Sequence, residues 1–568
     1  MEALPQCHDG RQEVNRARRK SVEAGAFLED FRLQLGIIGA ARHRTSIASG
    51  ENPVTHSGYT PRRAPQALRA ALAIAILILA VGLCAYVNAQ QGNAESPADR
   101  EYRTAMEGAD QKIQAEEQAH SELMKNLEYL TTQIGPRLTG GPQMQKATEW
   151  TVQRFKDCGI DAHPETAQVA HAFYRGADTA EITSPIQRRI EIRSLGWSKA
   201  TDGEVTAQIV ALDSQAPDAV AAAGGKIKGA IVLFGKPATV VLNPQPPPEN
   251  AYDAVIPPSR GVPAAGGAPG GGRGGTDAIA QAGPAVLLRD SGKPDNLFNM
   301  GGGGQNYSPS AVPMAFLTHE DYSLIYRLAQ SGPVTMKIAL KGTFSEQPQP
   351  ASITVAEING SQFPDERVII GGHLDSWDLG QGAVDNGTGA MSVLEAARTL
   401  KALGWQPKRT ITFILFTGEE EGGVGVQTYL KNHAAEIPKM DAVLVDDTGT
   451  GRVFSIALEN LYDTAPMMSQ IYRPLQEVFD LQPLSTRYFG ASDHVAFLRA
   501  GVATYFCIQE PAHYREAHHS QTDTFDKVIP DQVNEGAAFL AAWAWNVSEF
   551  SEALPHHAAT PPPGAPPR

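Results

Sequence analysis

Cysteine is scarce, four residues in 568, which excludes a fold built on a framework of disulfides. Cys84 lies inside an apolar run, and beyond it only Cys158 and Cys507 remain, to be read as two buried thiols or as one disulfide. An excess of basic residues is also missing. Lys and Arg number 48 against 62 Asp and Glu, a net charge of −14, so the chain has no field to draw nucleic acid, and nucleic acid is excluded as a partner. Long apolar runs are absent with one exception. From Ala70 to Val87 the chain reads "AALAIAILILAVGLCAYV", uncharged and preceded by Arg62, Arg63 and Arg69.

That run must meet a membrane. It is at the short end for a spanning helix, and "VNA" at Val87 to Ala89 followed by "QQ" has the spacing of a signal-peptidase site. Residues 70–89 are therefore expected to be a cleaved export signal in preference to a signal anchor held by residues 70–87. Either way the remainder is periplasmic or extracellular. Leu83 before Cys84 is too large for a lipobox. The polar residues 1–69 carry no sustained periodicity and read as a disordered or mis-assigned extension.

At about 150 residues per domain the chain is too long for a single core. Two segments, "HSELMKNLEYLTTQIG" and "GGPQMQKATEWTVQRFKDCG", space apolar residues by three and four and stop at glycine, predicting amphipathic helices within a first part at 100–172. From 173 to 345 the texture changes to short strand-like runs, among them "GEVTAQIVAL" and "GGKIKGAIVLFG", a separate and mainly β unit. Its stretches from Lys236 to Gly275 and at "GGGGQNYSPS" are rich in glycine and proline and are expected to be exposed loops. Residues 346–552 alternate apolar β-branched runs with amphipathic helices, the pattern of an α/β fold with a parallel sheet covered on both faces. The Pro-rich tail, 553–568, is expected to be disordered.

In such a sheet, ligands bind beyond the carboxyl ends of the strands. The strand in "RVIIGGHLDSWDLGQGAVDNGTGA" breaks into His373, Asp375, Asp378 and Asp385; "TITFILFT" ends at Gly418 before Glu419, Glu420 and Glu421. "MDAVLVD" ends in Asp446 and Asp447, and "VATYFCI" leads to His518 and His519. Taken singly, each cluster reads as a solvated loop or turn. All of them at one sheet edge form a constellation of histidines and carboxylates without cysteine, suited to zinc and, less selectively, to Mn2+ or Co2+. Two histidines and three carboxylates exceed the needs of one catalytic zinc and suit two metals that share a carboxylate.

The segments "GGHLDSWDLGQGAVDNGTGA", "TGEEEGGVG", "VDDTGTG", "GASDHVAF" and "HHSQTDT" resemble the co-catalytic zinc exopeptidases, which include bacterial leucyl aminopeptidases and glutamate carboxypeptidases, with the carboxypeptidase Q branch nearest in pattern. The resemblance runs from about His120 to Glu549. It implies a three-layer α/β/α sandwich of the zinc-exopeptidase (phosphorylase/hydrolase-like) type, with a protease-associated domain inserted. It further implies two Zn2+, one held by His373 and Asp447, the other by Glu420 and His519, with Asp385 between them. Glu419 matches the general base, and Asp375 the carboxylate that orients His373. His518, Ser492 and Asp493 are expected substrate contacts, and His518 stands where several relatives carry a tyrosine. The activity implied is hydrolysis of short unblocked peptides by an aminopeptidase or dipeptidase. A carboxypeptidase of the same fold, a single-zinc glutaminyl cyclase and a non-catalytic binding protein are the alternatives. Relatives of this type often form homodimers.

Overall fold

The computed structural model describes residues 95–240, 273–304 and 306–557. The extension 1–69, the apolar segment 70–89, most of the Gly/Pro-rich stretch before Gly275 and the tail from residue 558 lie outside the described residues. Among those described, no helix is long and apolar enough to cross a membrane.

One sheet has seven strands, in the spatial order β1 (Asp161–Val169), β12 (Gln349–Ile358), β14 (Arg409–Phe416), β13 (Phe363–His373), β15 (Met440–Val445), β17 (Thr504–Gln509) and β16 (Val453–Ala457). Strands are numbered along the chain. Strict alternation sends Val368 and Ile370 of β13, and Ile411, Phe413 and Leu415 of β14, to one apolar layer. Ile369, Ile414 and Phe416 go to the other, as the period of two requires. The first layer is closed by Pro142–Asp157, Thr388–Ala402, Ala465–Phe479 and Pro530–Glu549; the second by Val424–Asn432 and His494–Ala500. The α/β/α sandwich is therefore present.

The sheet is mixed, where the run pattern predicts a parallel one. Only β14, β13, β15 and β17 run parallel; β12 and β16 are antiparallel to their inner neighbours. The reason is connection length. Residues 359–362 join β12 to β13 and residues 446–452 join β15 to β16, both too short for the crossover a parallel return needs.

Between residues 173 and 344 a second sheet forms from β4 (Arg188–Ile190), β3 (Thr179–Ser184), β10 (Thr335–Ala339), β6 (Val205–Leu212), β7 (Ile231–Phe234), β8 (Val286–Asp290), β9 (Met314–Leu317) and β5 (Ile192–Ser194). A small ribbon pairs β2 (Phe173–Tyr174) with β11 (Thr343–Phe344). The expected exposed loop "GGGGQNYSPS" is partly buried instead. Gly301 and Ser310 are buried, and a Cβ on Gly304 would lie 2.8 Å from the Trp197 side chain. Lacking Cβ atoms, these glycines let the loop lie flat on its neighbours. Helix Arg273–Ala282 likewise begins inside the stretch expected to be loop. Cys158 and Cys507 are free thiols, the second buried.

A helix that the sequence pattern does not reveal, Pro97–His120, covers Pro530–Glu549 and Ala465–Phe479. Its buried stripe is Met106, Asp110, Ile113 and Glu117, half acidic and hence invisible to an apolar periodicity.

Candidate metal centre

Four parallel strands end at one edge, and each delivers its polar residues there. His373 is the last residue of β13. Glu419, Glu420 and Glu421 follow β14, Asp446 and Asp447 follow β15, and the loop after β17 carries His518 and His519. Beyond the strand ends these polar side chains converge on a common space.

Asp385 sits in the middle. Its Oδ1 is 3.3 Å from His373 Nε2, and its Oδ2 is 3.6 Å from His519 Nε2. His373 Nε2 also lies 3.1 Å from Asp447 Oδ1, and His519 Nε2 lies 2.8 Å from Glu420 Oε2. Three groups have ligand atoms close enough to share an ion: His373, Asp385 and Glu420; His373, Glu419 and Asp447; and Asp385, His518 and His519. The five expected ligands and the expected base are thus gathered within one cluster.

His373 is fixed by its other nitrogen, which faces the main-chain oxygen of Asp375 at 3.0 Å and the carboxylate at 3.6 Å. The Asp375 carboxylate instead accepts the main-chain N–H groups of Glu419 and Glu420, each at 3.4 Å. One aspartate thereby ties the β13 end to the acidic run after β14.

Burial dominates the electrostatics. It drives the carboxyls of Glu419, Glu420, Glu421 and Asp493 well above the usual carboxylate range, with Asp447, Asp385 and Asp375 the main repelling neighbours of the three glutamates in turn. Asp446 is pushed up to about 7 by burial and by Asp447. Burial lowers His518 and His519. His373 is also opposed by burial, yet the charge of Asp447 and contacts with Asp375 and Asp385 raise it well above its ordinary value. Acids packed this densely ionise together only beside concentrated positive charge. Asp385 Oδ2 and Glu420 Oε1 are buried without a hydrogen-bond partner, and the donor set of imidazole and carboxylate fits two zinc ions.

The remaining expected residues border the cluster. His518 stacks on His519 with ring centroids 3.7 Å apart, its Nε2 3.9 Å from Asp385 Oδ2. Ser492, at a φ of 73°, has a buried hydroxyl without a partner, and both Asp493 carboxylate oxygens are in the same state. Asp378 points away and forms a two-pronged pair with Arg175, at 2.7 and 2.8 Å.

Several supporting residues carry no periodic signal in the sequence. Arg137 is fully buried and donates to the carbonyls of Leu374 at 2.5 Å, Gln381 at 2.9 Å and Gly382 at 2.7 Å, holding the loop that leads to Asp385. Asp523 accepts from Val384 N and, through its carbonyl, from Gln381 N, both at 2.6 Å. Thr139 donates to Glu421 at 2.8 Å. Their sequence trace is faint: "IGPRLTGG" and "HHSQTDT" contain them, but nothing in the spacing reveals their partners.

Residues 354–544 match peptidase family M28. The chain is 30% identical over 442 residues to carboxypeptidase Q of Homo sapiens, covering 77% of this chain and 87% of that one. It belongs to peptidase family M28. By that membership it is a zinc-dependent metallo-exopeptidase. Its sequence is also 28% identical over 195 residues to a probable leucine aminopeptidase of Arthroderma benhamiae, covering 32% of this chain and 54% of that one. Among solved structures, an M28 peptidase precursor from Shewanella amazonensis superposes with a TM-score of 0.67 at 26% identity, over 80% of this chain and 99% of the other. An aminopeptidase from Aneurinibacillus shares the fold at a TM-score of 0.56 and 18% identity, over 78% and 97% of the two chains.

Proposed function

We propose that this M28 peptidase is an exported dizinc aminopeptidase or dipeptidase that hydrolyses short peptides with a free amino terminus. The placement of Asp385 between His373 and His519, with the half-buried Glu419 beside Asp447, carries the reading. His373 and Asp447 would hold one ion, Glu420 and His519 the other, and Asp385 both. Bound there, zinc would supply Lewis acidity toward the scissile carbonyl and toward a water, bringing hydroxide within reach of neutral pH.

The chain's own residues do the rest. Glu419, a carboxyl in a buried acidic setting, takes the proton from the attacking water and passes it to the departing amine nitrogen. His518, kept neutral by burial, can offer a hydrogen bond to the substrate where it borders the cluster. Asp493 and Ser492, with unpartnered polar atoms, supply a surface that suits a charged α-amine. The apolar run at 70–87 and the signal-peptidase-like spacing of Val87 and Ala89 at its end support export.

The carboxypeptidase Q relatives favour a second reading, attack at the carboxyl-terminal bond. The experiment that separates the two is zinc content of the purified chain together with hydrolysis of a free dipeptide and its N-acetylated twin. Two zincs and cleavage of only the free dipeptide are expected. Cleavage of the acetylated twin would establish a carboxypeptidase, and one zinc per chain would overturn the two-ion site.

A further inference from the structure

The histidine assigned to the second ion stands on a loop that is held partly from outside itself. His519 has a φ of 58°, a left-handed conformation that a histidine adopts at a cost and keeps only when its surroundings enforce it. Beside the loop's own turn at Ala517–Ser520 and the contacts of Asp523, enforcement comes from the 170–348 segment. The Lys293 ammonium donates to the carbonyls of His518 and, at 3.2 Å, of Arg515. Met300 N–H donates to the carbonyl of His519 itself at 2.7 Å. Just beyond, Gln521 accepts from Phe298 N and donates to Asn296 O, both at 2.9 Å. The loop between β17 and Pro530 is therefore gripped by a run of residues, 293–300, from a part of the chain that supplies none of the proposed ligands.

The grip differs from the support given to His373, which is held by Asp375, two residues along its own chain. The two proposed ion sites thus depend on different parts of the molecule. A flexible lysine with a compact charge suits the task, because it can gather two carbonyls that point to one place.

We propose that Lys293 is a positioning residue for His519, fixing the loop carbonyls so that Nε2 faces Glu420 and Asp385, and that it thereby sets the affinity of the second metal site far more than that of the first. This rests on the two-ion reading above. Outer groups that orient a ligand are commonly worth about 10- to 100-fold in metal affinity.

The test is a competitive chelator titration of zinc on the full chain, comparing wild type with Lys293→Met and Lys293→Arg, with far-UV circular dichroism and thermal unfolding alongside. In Lys293→Met one of the two ions is expected to stay within about twofold and the other to lose about tenfold or more, within that range. Lys293→Arg, which can still donate to two carbonyls, should recover most of the loss. Excess zinc should restore kcat in Lys293→Met, which a merely damaged fold would not allow. If Lys293→Met fails to fold, Lys293→Gln is read in the same way. Two ions bound unchanged in these variants, or both weakened equally, would overturn the proposal and leave the two-ion site intact. A wild type that binds a single zinc would overturn both.

Discussion

Asp385 turns Oδ1 to His373 Nε2 at 3.3 Å and so leaves Oδ2 free to face the opposite histidine. A carboxylate shared in this way makes the two halves of the site one electrostatic unit, and the predictions that concern the metals follow from it.

Glu419→Gln should retain fold and zinc while kcat falls by about 10²- to 10⁴-fold, the usual contribution of a positioned general base. The amide replaces the carboxylate in nearly the same volume and cannot accept the proton. Metal analysis paired with dipeptide turnover checks this; turnover near wild type would remove Glu419 from the role.

Removal of metal by a chelator should abolish hydrolysis and lower the unfolding temperature, because buried acids lose the cations that offset their repulsion. Zinc at about 100 times its dissociation constant should return about 2.7 kcal/mol per independent site. Calorimetry with and without added zinc measures the shift.

Arg137→Met should destabilise the fold by about 3 kcal/mol or more, since it leaves several buried carbonyls of the 374–382 loop without donors. Urea unfolding of the metal-free chain gives the value. Activity should fall too, because the same loop leads to Asp385.

His433 pairs with Glu165 at 2.7 Å and with Glu436 at 3.1 Å, and the Glu165 hydrogen bond raises its pKa above the ordinary 6.5. A folded-state pKa raised in this way contributes stability that is full below pH 6.5 and disappears as pH rises through the folded value. His433→Gln should flatten that decline between neutral and mildly alkaline pH. Urea midpoints across the window, wild type against variant, show whether it does.

The site residues were legible because each lies at, or in the loop that follows, a point where an apolar strand run breaks into polar residues. His373, Glu419, Asp447 and His519 each sit past such a break, and the structure brings all four to one edge. The flanking strands were harder to read. β1, "DAHPETAQV", is largely solvent-facing and contains a proline, so it shows none of the apolar continuity of β14. The mixed direction of the sheet lay in loop lengths, not in the strands. Arg137 and Lys293 were hidden for another reason. Their partners are main-chain carbonyls, and a carbonyl leaves no mark in the sequence of side chains.

The pairing of β1 with β12 has its own consequence. Val169 stands opposite Gln349 and Asp161 opposite Glu357, so the two strands form a hairpin whose connecting segment is the whole of residues 170–348. Entry and exit lie side by side, the geometry of a graft point. A short Asn-Gly turn could close that hairpin and leave the seven-stranded sheet its register. The resulting miniature is expected to keep its strands yet forfeit the hold on His519, which would separate architecture from metal affinity.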